Sequence, residues 1–302
     1  MSRPASNDAL IRAMPAVFVL IWSTGFIVAK YGLPYAPPLS FLAIRYALSL
    51  LCFIAWISIA RVAWPNSRIQ WLHLAVTGIL IHAGYLSGVW SAIKGGMGSG
   101  LSALVVGLQP VLTAVWVSQM GESGAGKGRV SARQWLGLVL GLAGLLLVVS
   151  RKFGAGNEAT AYTLAWAVFA LLSITAGTLY QKRFVQPADV RSANAIQLGA
   201  ALLVTLPFAF LETEAVQWTG GFVGALAWSV LGLTLGGSSL LYMLIQRGAA
   251  TAVTSLLYLV PPTTALMAWL LFGETITVVT VAGTALTALG VSLVVRPAKA
   301  AV

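Results

Sequence analysis

Long apolar stretches alternate with short polar breaks along the whole chain. A helix that crosses the hydrocarbon core of a bilayer needs about 20 apolar residues, or slightly fewer or more when it adapts to the bilayer. Prolines and glycines punctuate the breaks, as in residues 32–38 with their three prolines. The pattern therefore predicts an all-α membrane protein with ten transmembrane helices. The runs lie at about 14–31, 38–60, 71–93, 98–120, 134–150, 160–181, 193–211, 222–246, 250–272 and 278–295.

The composition excludes other classes of protein. The chain has 302 residues, of which 59% are hydrophobic and 8% are charged, whereas soluble domains average about 25% charged residues. A soluble globule and a disordered chain are both excluded. Cys52 is the single cysteine and there are two histidines, so we predict no disulfide framework, no metal site and no cofactor.

The basic residues indicate how the chain is oriented. The formal net charge is +11, but Lys and Arg stand singly or in pairs at the ends of apolar runs, which argues against a nucleic-acid partner. Of the 18 basic residues, 13 fall in the segments on the side of the termini, 4 fall on the other side, and Arg45 lies within the second run. By the positive-inside rule, both termini are predicted to be cytoplasmic.

The two halves of the sequence repeat. After the Gly-Glu pairs the offset falls from 152 to 146 residues, which fits extra loop material in the first half. We predict two units, residues 1–153 and 154–302, with five spans each. The aligned pairs are Gly25 and Gly177, Lys30 and Lys182, Gly84 and Gly236, Pro110 and Pro262, Glu122 and Glu274, Gly137 and Gly283, and Gly144 and Gly290.

An odd number of spans per unit means that the second unit enters the membrane from the opposite side. Inverted repeats around a shared central cavity are the architecture of alternating access, so the sequence favours a carrier with the bilayer and a small solute as partners. A channel is the alternative, although no ring of charge or repeated filter segment is present. No Asp pair lies within the apolar runs, and the serine of Gly96-Met97-Gly98-Ser99-Gly100 does not fit a Gly-x-Ser-Gly motif because position 97 is Met, so we predict no enzyme. Gly137 and Gly141 allow close helix contact within one chain or in a homodimer.

Several motifs carry a family resemblance. Residues 22–26 read Trp-Ser-Thr-Gly-Phe, Arg45 follows Pro38 by seven residues, and Pro110 with Gly121-Glu122 recurs as Pro262 with Gly273-Glu274. Over essentially its whole length the chain resembles EamA-type members of the drug/metabolite transporter superfamily. Within it, the chain is similar to bacterial ten-helix amino-acid and metabolite exporters, among them the aromatic amino-acid exporters called YddG. The resemblance implies the bacterial inner membrane, outward flux, and a central cavity lined by helices 1, 3, 4, 6, 8 and 9.

Polar and aromatic side chains deep in the apolar runs are the candidate substrate-binding residues. An unpaired polar group in hydrocarbon costs several kcal/mol, so these side chains should face protein or water. Hydrogen bonding between helices and ordinary packing are the alternative roles. Prolines and glycines in the spans are candidate hinges. The binding candidates are Trp22, His82, Tyr85, Gln109, Trp166, Ser239, Tyr242 and Tyr258, and the hinge candidates are Gly25, Pro110, Gly177, Pro261 and Pro262.

The acidic residues bear on energy coupling. All seven lie at run ends or in loops, whereas ion-coupled carriers commonly keep a carboxylate near the midplane. We therefore predict facilitated export of small metabolites, namely neutral amino acids including aromatic ones, without obligatory proton coupling. A proton-coupled drug or metabolite antiporter that uses His82 is the alternative. Arg45 is interpreted as an anchor near a helix end rather than as a ligand for a substrate carboxylate.

Overall fold

The computed structural model describes residues 5–119, 132–152, 159–240 and 259–295, and every regular element in these ranges is a helix. Six described helices are long and apolar enough to cross a membrane, and four shorter apolar helices match the remaining predicted runs. The prediction of an all-α protein with ten membrane helices is confirmed. The helices are α1 (Ala5–Gly32), α2 (Pro38–Ala60), α3 (Arg68–Lys94), α4 (Ser99–Val106 and Gln109–Gln119), α5 (Ala132–Lys152), α6 (Ala161–Phe184), α7 (Val190–Ala209), α8 (Gly220–Leu240), α9 (Val260–Phe272) and α10 (Val278–Val295).

Helices α5 and α10 pack against each other through glycines. Gly144 lies against the carbonyl of Gly283, and a Cβ on Gly290 would lie 2.5 Å from the backbone of both Gly137 and Gly141. Since Gly137 corresponds to Gly283 and Gly144 to Gly290 in the repeat, the two contacts are reciprocal, as across a two-fold axis. The small-residue face of α5 is thus used within the chain, and a homodimer remains a prediction.

The other helix contacts follow the same two-fold relation. Helix α3 packs on α6 and α7, and its counterpart α8 packs on α1 and α2. Helix α4 contacts α6 and α9, and its counterpart in the second repeat, α9, contacts α1 and α4. These pairings are those of two inverted five-helix repeats. The predicted boundary between residues 153 and 154 itself lies outside the described residues.

Helices α3 and α8 are widened at equivalent positions. Residues Ile79–Gly84 of α3 and Trp228–Gly237 of α8 are π-helical. Adding the repeat offset of 152 to the residue numbers of the first segment places it within the second. A π-helical turn frees backbone carbonyls, and such segments often occur at functional sites. In α3 the side chains of Ser173 and Tyr46 donate hydrogen bonds to the carbonyls of Leu80 and His82, both at 2.8 Å.

Three of the candidate hinges lie where α4 meets α9. Helix α4 is interrupted at Gly107 and Leu108, and Pro110 is the second residue of its following segment. A Cβ on Gly107 would lie 2.9 Å from Cγ of Pro261, which is in the first turn of the described part of α9 together with Pro262. The proline-associated break in α4 therefore packs directly on the prolines of α9.

Candidate functional site

A cavity lies at the centre of the bundle between the two widened helices. It has a volume of about 110 Å³ and adjoins a larger vestibule of about 560 Å³, since Trp22, Ile81, His82, Ile174 and Ser238 line both spaces. Helices α1, α2, α3, α6 and α8 form the cavity wall. Its lining residues are Trp22, Gly25, Phe26, Arg45, Ile81, His82, Tyr85, Leu86, Val89, Trp90, Ile174, Leu233, Thr234 and Ser238.

Aromatic side chains close one end of the cavity. Phe26 and Trp90 line it there and are buried. Trp90 packs on Phe41 with ring centroids 4.4 Å apart, and Phe41 packs edge-on against Phe222 at 5.4 Å. The four rings join α1, α2, α3 and α8 into a continuous apolar layer.

A partly buried ion pair lies beyond this aromatic layer. The Lys30 ammonium is 2.7 Å from the Glu274 carboxylate, whose side chain is 8% exposed. Glu274 also accepts a hydrogen bond of 2.8 Å from the backbone N–H of Ser99, the first residue of α4. Ser99 Oγ in turn donates to the carbonyl of Phe26 at 3.1 Å. These contacts tie α1, α4 and the segment after α9 together; we call this region, with Phe26 and Trp90, the closed end.

The vestibule leads away from the closed end, toward the connection between α6 and α7. It reaches Gln186, Pro187 and Ala188 of that connection. Gln109 donates a hydrogen bond of 2.9 Å to Thr178 on its wall. Near its rim, hydrogen bonds from Arg191 keep the pKa of the Asp189 carboxyl below its usual value, so at neutral pH this carboxylate is charged and matched by Arg191.

Four of the predicted binding residues lie at these spaces. Trp22 and His82 line both the cavity and the vestibule, Tyr85 lines the cavity, and Gln109 lines the vestibule. Gly25 also lines the cavity. Tyr242 and Tyr258 lie outside the described residues.

The structure places Trp166 and Ser239 elsewhere. Gly88 of α3 sits directly against the Trp166 carbonyl, so α3 and α6 are in contact here and leave no space between them. The Trp166 ring packs against Tyr162 and lines a separate outer groove. Ser239 donates to the Leu235 carbonyl of its own helix at 2.7 Å; its neighbour Ser238, about 100° around the helix, is the serine that lines the cavity.

Sequence reasoning missed the contribution of α2. Arg45 is buried and lines the cavity instead of anchoring a helix end, and it donates hydrogen bonds to Thr234 of α8. An ionisable residue inside a span is by default a candidate functional residue, and this signal pointed to Arg45. By contrast, no described residue of α9 lines the cavity, although the resemblance implied that helix.

Comparisons with known proteins agree with this architecture. The chain is 26% identical to the uncharacterized transporter YvbV of Bacillus subtilis, over 98% of this chain and 94% of the relative. It is 27% identical to a probable amino-acid metabolite efflux pump of Salmonella typhimurium, over 89% of both chains. It is 24% identical to the uncharacterized inner membrane transporter YedA of Escherichia coli, over 88% of this chain and 84% of the relative.

A solved structure and a family model support the same architecture. A solved crystal structure matches 93% of this chain and 95% of its own with a TM-score of 0.65 at 18% identity, which shows a shared fold. The model of the EamA-like transporter family matches residues 13–150 and again residues 161–296, so the two copies follow the two repeats. The chain therefore belongs to the EamA-like transporter family and is a multi-pass membrane transporter, not an enzyme.

Proposed function

We propose that the protein is a secondary carrier that exports neutral amino acids, including aromatic ones, by alternating access. The observation that carries the proposal is a central cavity that adjoins a vestibule on one side and is bounded by Phe26, Trp90 and the Lys30–Glu274 pair on the other. A carrier exposes its site to one side at a time, whereas an open channel needs a continuous path. The two-fold relation between the repeats supplies the second state, in which the other end closes.

The substrate class is supported by the wall of the cavity. Trp22, Phe26 and Leu86 offer apolar and aromatic surface, while His82, Tyr85 and Ser238 add a few polar groups, a mixture typical of small-molecule sites. Two relatives carry the name amino-acid metabolite efflux pump. The distribution of basic residues supports cytoplasmic termini, which makes the sealed side the outer one and the vestibule the cytoplasmic entry.

Counterflow in proteoliposomes tests the carrier and its coupling together. Vesicles loaded with unlabelled phenylalanine are expected to accumulate external labelled phenylalanine transiently and saturably, because a carrier exchanges one bound solute for another. We also expect no phenylalanine-driven proton flux, since no described carboxylate lines the cavity or lies against His82. A pH-sensitive dye inside the vesicles measures that flux.

The outcomes separate the alternatives. Non-saturable flux without counterflow would identify a channel. A substrate-driven proton flux that disappears in His82→Gln would identify the proton-coupled antiporter. Protein-free vesicles are the control for leakage.

The two tryptophans provide a matched test of the aromatic wall. Trp22→Ala is expected to lower transport of phenylalanine about 3- to 10-fold more than transport of alanine, because an aromatic contact contributes about 0.5–1.5 kcal/mol beyond its buried area. Trp166→Ala removes the same side chain from the outer groove and should lower both rates equally or not at all. Equal losses for both substrates in Trp22→Ala would contradict a stacking role.

A further inference from the structure

Arg45 carries a positive charge into the centre of the bundle. It is 9% exposed, and its Nε and Nη2 donate to the same hydroxyl, Thr234 Oγ1, at 3.3 and 3.1 Å. A guanidinium has five N–H donors, so three of them have no protein acceptor among the described residues. A buried cation in a membrane is costly unless an anion or further hydrogen bonds match it.

The described residues provide no anion for Arg45. The four carboxylates whose side chains the structure describes already have partners at or near the ends of helices. The tyrosines that interact electrostatically with the guanidinium are Tyr46 and Tyr85, and a tyrosine hydroxyl is neutral at pH 7. The cavity wall therefore holds one positive charge and no described negative charge. The engaged carboxylates are Asp189 with Arg191, Glu212 with the first N–H groups of α2, Glu214 with Lys94, and Glu274 with Lys30.

The two-fold relation shows that this charge belongs to one repeat only. A shift of 152 relates Arg45 to Gln197 and Thr234 to His82. In the second repeat Gln197 and His82 both line the vestibule, but Gln197 is uncharged at the position equivalent to Arg45. The framework alone therefore does not require a cation here. An arginine with an incomplete set of acceptors at the cavity wall is suited to bind an anionic group that enters from outside.

We propose that Arg45 binds the carboxylate of the transported solute, and that a carboxylate attached to an apolar or aromatic body is the group that the carrier requires. The guanidinium fork matches a carboxylate with two parallel hydrogen bonds. Thr234 accepts hydrogen bonds from one edge of the guanidinium, while Trp22, Phe26 and Leu86 provide apolar surface on the wall of the same cavity. The proposal rests on the proposed transport function and adds the chemistry by which the same cavity selects its substrate.

Three ligands of similar shape test the requirement on the purified full-length protein. L-Phenylalanine and 3-phenylpropionate carry the carboxylate, whereas L-phenylalaninamide lacks it. We expect the wild-type protein to bind both carboxylates at least about tenfold more tightly than the amide, measured by ligand-induced thermal stabilisation and by inhibition of counterflow.

Variants at Arg45 identify the responsible group. Arg45→Gln should weaken binding of both carboxylates roughly 10- to 100-fold, to the level of the amide, because a charge-assisted pair is lost. Arg45→Lys keeps the charge without the fork and should recover part of the affinity. Arg68→Gln, the same change at an exposed residue at the start of α3, is the matched control and should leave all three affinities unchanged.

Each failure has a distinct meaning. If folded Arg45→Gln still prefers carboxylates over the amide as the wild type does, Arg45 is not the carboxylate ligand. If chloride alone stabilises the wild type as well as the carboxylates do, the anion is inorganic and the proposal is wrong. If 3-phenylpropionate is transported and phenylalanine is not, the proposal that the substrate is an amino acid is wrong, whereas the proposal that Arg45 binds a carboxylate is supported. Should Arg45→Gln fail to fold, equal wild-type affinities for acid and amide would still overturn the proposal.

Discussion

Replacing Gly25 with leucine is expected to abolish transport while the protein stays folded. Gly25 lines the cavity, and the nearest atom to a Cβ built on it is Cδ2 of Leu233 at 3.8 Å. An isobutyl group at this position therefore enters empty space and fills much of a cavity of about 110 Å³. We expect saturable transport to fall more than about 100-fold, because a solute that cannot enter loses essentially all of its binding energy. Counterflow measures the loss.

Its repeat-related partner is the matched control. Gly177 occupies the position equivalent to Gly25, but a Cβ there would lie 2.6 Å from Cγ1 of Ile81 and 2.9 Å from Cβ of Leu80. Gly177→Leu should therefore disrupt the contact between α6 and α3 and cost more than the 1–3 kcal/mol typical of mild overpacking, about 3 kcal/mol or more. Size-exclusion chromatography and thermal unfolding distinguish a folded inactive variant from a misfolded one.

The pair of variants can contradict this description of the cavity. Gly25→Leu with wild-type transport would mean that the space beside Leu233 is not on the substrate path. Gly25→Ala adds only a methyl group at an ordinary contact distance and should remain folded and active. Aggregation of Gly25→Ala would show that the site is packed rather than open.

Length and periodicity were enough to predict the framework. The ten predicted apolar runs correspond to ten described helices. The glycines that align at an offset of 146 are in contact across the two halves, since Gly144 meets Gly283 and Gly290 meets Gly137. This success has a simple cause. In hydrocarbon the backbone must hydrogen-bond within each span, so helices are the outcome of an apolar run, and small residues show where two of them approach closely.

The details of the site were less predictable, because they depend on which face of each helix is turned to the cavity. Trp166 lies on α6 where Gly88 brings α3 into contact, whereas Val89 and Trp90, next to Gly88, line the cavity, and no one-dimensional pattern fixes these contacts. Ser238 and Ser239 differ only by a rotation about the axis of a helix that is π-helical just before them, so the usual periodicity is displaced there. The position of Arg45 depends on Thr234, which is 189 residues away.

Removing the carboxylate of Glu274 is expected to open the closed end. Glu274→Ala leaves Lys30 and the N–H of Ser99 without their acceptor. Because Lys30 is 33% exposed, we expect breaking this pair to cost about 2 kcal/mol, which is less than breaking a fully buried pair costs. The closed state then becomes about 30-fold less populated relative to the open state. In a Cys52→Ser background, Ser238→Cys reports access to the cavity. An impermeant thiol reagent applied on the Lys30 side should label it about 30 times faster in Glu274→Ala.

Glu274→Gln separates the charge from the hydrogen bond. The amide oxygen can still accept from Ser99 but no longer pairs with Lys30, so labelling from the Lys30 side should rise by an intermediate factor. Lys30→Met removes the other partner of the ion pair and should also raise labelling from the Lys30 side. If the Glu274 variants acted only through the lost hydrogen bond to α4, Lys30→Met would leave this labelling unchanged. From the vestibule side, the reagent should react more slowly in all three variants, because opening one end of an alternating-access carrier closes the other. Faster labelling from both sides would instead indicate a leak through a loosened bundle, and the ion pair would then be a structural clamp rather than a gate.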